Sequence, residues 1–263
     1  MSIRAEQLSV TISGRKILDD LNFCCYPGEI TAIVGENGAG KSTLLNCLAG
    51  VSDFTGNISL NKHAIQSLSF AKLAQYRAVL PQHNSLNFPF RVHEVVRLGL
   101  SLACLCQAQQ ERLISDSLAL VDACQFIDRD YLELSGGEKQ RIQLARVLAQ
   151  LAAHKHRQSR FLFLDEPTSA LDLKHQYSTL KMVRQLCINN NARDIGALVI
   201  VHDLNLASLY CDKVLLLNGG RLVAHDTPEQ IFQPAIIKQS FGIDVTVDSH
   251  PDSRKPYLIP RLL

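Results

Sequence analysis

The stretch Gly35-Glu36-Asn37-Gly38-Ala39-Gly40-Lys41-Ser42 has the spacing G-x-x-x-x-G-K-[ST]. Small residues let a backbone wrap closely round an anion, so that successive N–H groups point inward. The helix that opens behind such a loop adds unpaired donors and the positive end of its dipole. Lys41 supplies a point charge for the β- and γ-phosphates of a nucleotide, and Ser42 is placed to offer its hydroxyl to Mg²⁺. The motif needs a strand before it and a helix after it. Both are legible. Ile30-Thr31-Ala32-Ile33-Val34 is a short apolar run of the kind covered on both faces, and Ser42-Thr43-Leu44-Leu45-Asn46-Cys47-Leu48-Ala49 reads as a helix stopped by Gly50.

Two carboxylates suit the same chemistry. Asp165 closes the apolar strand Phe161-Leu162-Phe163-Leu164. In an open α/β sheet ligands gather at the carboxyl ends of strands, and a carboxylate there can hold Mg²⁺. Glu166 follows, just before Pro167, where a general base could polarise an attacking water. Further back, Ser135-x-x-Glu138 is a capping box for a helix from Lys139 to Leu151. Gly136 and Gly137 inside it weaken a helix start. They make sense where bare N–H groups must approach an anion.

The elements that must position these residues follow from the patterning. Residues 1 to about 30 alternate apolar and polar positions, as in Gln7-Leu8-Ser9-Val10-Thr11-Ile12, with turns at Ser13-Gly14 and Pro27-Gly28-Glu29, and predict short antiparallel strands. More strands and a short helix are expected over 51–81, and helices from about Val92 to Gln150. Residues 154–160 read as a solvated basic loop. The apolar strands Phe161–Leu164 and Ala197–Val201 flank a helix, and Asn218-Gly219-Gly220 joins a hairpin. The 263 residues predict one lobed domain, and there is no internal repeat.

Composition excludes several classes. Hydrophobic residues are 46% and charged residues 20%, an ordinary globular balance that excludes disorder and coiled coil. Lys and Arg number 27 against 25 Asp and Glu, so the basic excess of a duplex nucleic-acid binder is lacking. No apolar run approaches the roughly 18 residues of a membrane span, and Met1–Glu6 has no apolar signal core. A cytosolic, soluble chain is expected. The eight cysteines form no CxxC pair and are read as free buried thiols.

Leu134-Ser135-Gly136-Gly137-Glu138 resembles the LSGGQ signature of the ATP-binding cassette (ABC) family, with Glu138 at the last place. Other family motifs occur in order: Val79-Leu80-Pro81-Gln82 looks like the Q-loop, Ser169-Ala170-Leu171-Asp172 the D-loop, and Val201-His202-Asp203 the switch histidine. The resemblance implies an α/β P-loop NTPase fold of the ABC type. Its parts are a mixed, largely parallel core sheet, an N-terminal antiparallel β subdomain, a helical subdomain over roughly 83–155 and a short C-terminal tail over roughly 241–263. It implies ATP hydrolysis with Mg²⁺ in a head-to-tail homodimer. Gly35, Glu36, Asn37, Gly38, Ala39, Gly40, Lys41, Ser42 and Thr43 of one chain would bind the nucleotide together with Ser135, Gly136, Gly137, Glu138 and Asp172 of the other. Glu166, His202, Lys41 and Gln82 would serve catalysis, and Ser42, Gln82 and Asp165 the metal. The family often stacks an aromatic ring on adenine; here Ile12 stands about where a tyrosine is usual.

Ala78–Gln82 with Phe88–Val96, Ile142–Leu151, Ser169–Gln176 and His202–Ala207 sharpen the resemblance toward the ATP-binding subunit of bacterial haem (haemin) importers. That implies a transmembrane permease dimer as partner, a periplasmic substrate-binding protein acting indirectly, no nucleic acid, and a peripheral place on the cytoplasmic face of the inner membrane. Siderophore and vitamin B12 importers share much of the pattern and are the near alternative. A non-transport cassette for DNA repair or translation usually carries two cassettes or a long coiled-coil insertion, and neither is present. A GTPase is excluded because Asn61-Lys62 is followed by His63-Ala64, not x-Asp.

Overall fold

The computed structural model describes residues 2–82, 86–154, 158–188 and 194–261. Strands β1 (Ile3–Ile12) and β2 (Arg15–Cys25) are joined by a two-residue turn in which Ser13 (φ 49°) and Gly14 (φ 77°) are both left-handed, the geometry that matches strand twist. β3 (Ile30–Val34) runs into the glycine loop and α1 (Lys41–Leu48). β4 (Thr55–Leu60), β5 (His63–Ala64), α2 (Phe70–Tyr76) and β6 (Arg77–Leu80) follow. Then come α3 (Val92–Leu98), α4 (Gln107–Leu120), α5 (Gly136–Ala153), β7 (Arg160–Asp165), α6 (Leu173–Ile188), β8 (Ile195–Ile200) and α7 (Leu204–Tyr210). The chain ends with β9 (Lys213–Asn218), β10 (Arg221–Asp226), α8 (Pro228–Ile231), α9 (Pro234–Phe241), β11 (Val245–Ser249) and β12 (Pro256–Pro260).

The central sheet has the order β10-β9-β3-β8-β7-β6, parallel except for the β9–β10 hairpin. A second, antiparallel sheet has the order β2-β1-β4-β5. Alternation along the central strands divides the core in two. Ile33, Phe161, Phe163, Leu198 and Leu215 face α1 and the antiparallel sheet. Ala32, Leu162, Leu164, Val199 and Leu216 face the helices on the other side, α5 among them. A strand sandwiched this way must be apolar at every position, which is why the runs over β3, β7 and β8 show no alternation.

Three expectations change. The helix foreseen from Lys139 begins at Gly136 and is 18 residues long, so both glycines lie inside its first turn. The capping box forms, with Ser135 N–H donating to Glu138 Oε2 (2.8 Å). The basic segment is not solvated at its described ends: His154 and Arg160 are buried. Arg160 opens β7 and donates to the carbonyls of Leu151 (2.7 Å) and His154 (3.2 Å) and to Asp194 (2.9 Å), so a buried cation finds partners. Residues 155–157 lie outside the described residues. Cys104, Cys106 and Cys124 are exposed, in the segments flanking α4, while Cys25, Cys47, Cys187 and Cys211 are buried as expected. Among the described residues no group of His, Cys, Asp and Glu could hold a metal by itself.

The last residues form the β11–β12 hairpin, which docks on α7. The Asn205 side chain accepts from Leu258 N–H (2.7 Å) and donates to its carbonyl (3.1 Å).

Candidate nucleotide site

The loop from Gly35 to Gly40 leaves β3 at the middle of the central sheet. A Cβ on Gly35 would lie 2.2 Å from the Leu217 carbonyl oxygen. Gly40 has φ 94°, and its Cβ would lie 2.6 Å from Leu18. Gly35 therefore requires glycine because a side chain would strike backbone, and Gly40 because its left-handed φ is one that other residues rarely adopt. Lys41 is buried, and its Nζ donates to the carbonyls of Gly35 (2.8 Å) and Glu36 (2.9 Å). Burial pushes its pKa down, opposed by Glu166 and Asp165. An open cavity of about 530 Å³ stands over the loop, lined by Asn37, Gly38, Gly40, Lys41, Ser42 and Thr43. Glu36 contributes its backbone, and its side chain faces solvent. Ala39 packs into the core beneath.

Gln82 and Glu166 line the same cavity. They follow β6 and β7, which lie to one side of β3 in the sheet; the β9–β10 turn, with Gly219 and Gly220 on the cavity, lies to the other. Asp165 ends β7 and is 5% exposed. Burial raises its pKa; a hydrogen bond with Ser42 opposes this, and the neighbouring Glu166 adds to it. Its Oδ1 is buried without a hydrogen-bond partner. A buried carboxylate oxygen left unpaired, on a group that also meets the Ser42 hydroxyl, suits a hard cation such as Mg²⁺.

Glu166 has φ 50°, a conformation that costs a non-glycine residue about 1–3 kcal/mol and persists only where surroundings enforce it. Its carbonyl accepts from Gln140 Nε2 (2.9 Å), Ser169 Oγ (3.1 Å) and Ser169 N–H (3.3 Å). Its carboxylate Oε1 is 2.6 Å from Nε2 of His202, which follows β8. The carboxylate is thus held over the cavity by a group that can itself donate to it.

The capping-box residues stand elsewhere. Gly136, with Gln140, Ser169 and Ala170, lines a second cavity of about 320 Å³, which Gln82 also borders. A Cβ on Gly137 would lie 2.9 Å from the Ala170 carbonyl oxygen, whereas one on Gly136 would meet nothing within 4 Å. Ser135 is exposed, and its contacts with the carboxylate of Glu138 hold that group's pKa down. Asp172 precedes α6, where its carboxylate accepts from His175 N–H (2.9 Å); that contact and the His175 ring lower its pKa. The fold brings together Lys41, Ser42, Gln82, Asp165, Glu166 and His202. It leaves Ser135–Glu138 and Asp172 outside the cavity of their own chain.

Gln140 was not singled out by the motifs. It accepts from Ala170 N–H (3.1 Å) while donating to Glu166, so it ties α5 to both loops. Its spacing of four from Gly136 was a usable signal, because such residues share a helix face.

A family model described as "ABC transporter" matches residues 18–169. The chain belongs to this family. Its ABC relatives extend the match over nearly the full length. It is 44% identical over 260 residues to the hemin import ATP-binding protein HmuV of Pseudomonas fluorescens strain Pf0-1, covering 98% of this chain and 100% of that one. It is 42% identical over 262 residues to the protein of the same description from Mesorhizobium japonicum, covering 98% of each. An inward-facing transporter described as of metal-chelate ABC type superposes with a TM-score of 0.80 at 24% identity, over 99% of this chain and 98% of that one, a likeness of fold. The chain is accordingly an ABC-type ATPase that binds ATP. No described helix is long and apolar enough to cross a membrane.

Proposed function

We propose that this ABC ATPase powers hemin import, working as a pair of identical chains beneath a membrane permease on the cytoplasmic face of a bacterial inner membrane. The observation that carries the cargo assignment is the 44% identity, along the whole chain, to a hemin import ATP-binding protein.

The site supports a definite division of labour. Loop N–H groups and Lys41 bind and orient the phosphates. Glu166 polarises the attacking water, and His202, 2.6 Å away, holds that carboxylate in place. Lys41 stabilises charge on the transferring phosphoryl group, so catalysis is mainly positioning plus electrostatics. Mg²⁺, held by Ser42, Asp165 and Gln82, would supply neutralisation of the β- and γ-phosphates. Ser135, Gly136, Gly137 and Glu138 act on the nucleotide of the other chain, with Asp172 beside them. This is supported by Gly136, an exposed glycine that no atom of its own chain requires. Closure on ATP excludes bulk water, and hydrolysis releases the pair. The segment from Gln82 to Val96 passes that motion to the permease; within it, residues 83–85 lie outside the described residues.

Vesicles rebuilt with the chain and its permease provide the test. ATP-dependent accumulation of hemin, lost in Glu166→Gln, is expected. Accumulation of a ferric siderophore or vitamin B12 in its place would reassign the cargo, and absence of ATP hydrolysis would remove the whole proposal.

A further inference from the structure

Asp172 caps α6, where its Oδ1 accepts from His175 N–H (2.9 Å). That bond alone satisfies an orphan donor of the helix's first turn. The same oxygen also lies 2.7 Å from Nδ1 of the His175 ring. A cap does not need this second contact. The main-chain bond and the ring together hold the Asp172 carboxyl below its ordinary pKa, so it is ionised at neutral pH. Nδ1 must therefore carry a proton, because two acceptors 2.7 Å apart would repel one another.

The ring is held in its turn. Its far edge, Nε2, stands 4.0 Å from Asp122 Oδ2. Asp122 follows α4 with φ 53°, and its carbonyl accepts from the buried Arg141 of α5, the helix that begins at Gly136. The two edges of the ring differ in weight. The 2.7 Å contact is a charge-assisted hydrogen bond. The 4.0 Å contact is too long for one and joins a carboxylate that is 74% exposed, where such a pair is worth little. The ring therefore works as a donor to Asp172, with the end of α4 as the wall behind it.

We propose that His175 is a positioning residue for ATP hydrolysis, its Nδ1–H fixing the Asp172 carboxylate in the place from which it meets the other chain. Both bonds fall on Oδ1 and the Asp172 side chain is 68% exposed, so its second oxygen is available to another chain. Two donors on one oxygen remove the freedom of the carboxylate before the chains meet, and closure then has less to order. Neither Asp172 nor His175 lines the cavity over the phosphate loop of its own chain. The effect must therefore show in turnover and not in nucleotide binding by the single chain. The proposal rests on the reading of Asp172 as acting across the pair.

The test uses the full chain with its permease. kcat and KM for ATP, and Tm, are measured for the wild type, His175→Ala, His175→Asn, Asp122→Asn, Asp172→Ala and the double variant His175→Ala with Asp172→Ala. His175→Ala should lower kcat about tenfold and leave KM within about twofold. The main-chain N–H of residue 175 still reaches Asp172, so the helix cap survives and Tm should shift by less than about 2 °C. His175→Asn, whose side-chain amide can take the place of the Nδ1 donor, should recover kcat to within about twofold of the wild type, and Asp122→Asn should stay there too. The double variant should be no slower than Asp172→Ala alone, because one residue acts through the other. A wild-type kcat in His175→Ala beside an impaired Asp172→Ala would overturn the proposal. So would a larger fall in Tm, additive losses in the double variant, or His175→Asn as slow as His175→Ala. An equal loss in Asp122→Asn would also overturn it, by making the ring a charge and not a donor. Asp172→Ala hydrolysing ATP like the wild type would show instead that the reading of Asp172 across the pair has failed.

Discussion

Alanine at Gly136 should separate stability from activity. The residue is exposed, occupies the first position of an 18-residue helix, and an added Cβ meets nothing within 4 Å. Its φ is not among the left-handed values, so alanine fits the backbone. Glycine to alanine in a helix gains up to about 1 kcal/mol. For a chain of this size that corresponds to a rise in Tm of about 2 °C. Turnover should nonetheless fall at least tenfold, about 1.4 kcal/mol of lost transition-state stabilisation. The methyl group stands where the opposing chain's nucleotide must approach bare N–H groups. Gly137→Ala is the control, because its Cβ would lie 2.9 Å from the Ala170 carbonyl oxygen and must disturb the chain itself. Thermal melting and steady-state ATP hydrolysis give both readouts. A Gly136→Ala protein that melts higher and hydrolyses normally would show that this helix tip approaches nothing. One that melts lower would show that the isolated chain needs the glycine.

Asp165→Asn should raise the Tm of the metal-free protein while abolishing hydrolysis, measured by melting with and without Mg²⁺-ATP. The sign follows from burial, which pushes the Asp165 pKa above its unfolded value. Its contribution is then most favourable below the unfolded pKa and is lost as pH rises through the folded one, so at neutral pH the charge is a burden that asparagine removes. Gln140→Ala should lower kcat about tenfold while leaving the KM for ATP within twofold. It releases the carbonyl of Glu166 and the N–H of Ala170 without touching the phosphate loop, and steady-state kinetics with ATP varied would check it.

The phosphate loop and its carboxylates were legible because their chemistry is local. Strand, glycine loop and helix are contiguous, and Asp165 announces itself by ending an apolar strand. The central strands were legible for a related reason, since burial on both faces leaves nothing polar in β3, β7 or β8 apart from their ends and Thr31. What failed to show were contacts between segments distant in sequence. Arg160 reads as part of a basic run until Asp194 and the end of α5 are brought round it. Gln140 reads as a helix-surface amide until the loop after β7 folds against it. The exposure of Cys104, Cys106 and Cys124 depends on how α4 is seated, which periodicity over 107–120 does not specify.

Glu166→Gln with saturating Mg²⁺-ATP provides the most direct measurement. Sedimentation should show the variant as a two-chain species that the nucleotide-free protein does not form. A spin label at Ser135 of one chain should then lie within about 15 Å of one at Asn37 of the other, a helix width plus two label arms. An ATP-loaded variant that sediments as a single chain, alone and with its permease, would contradict the account.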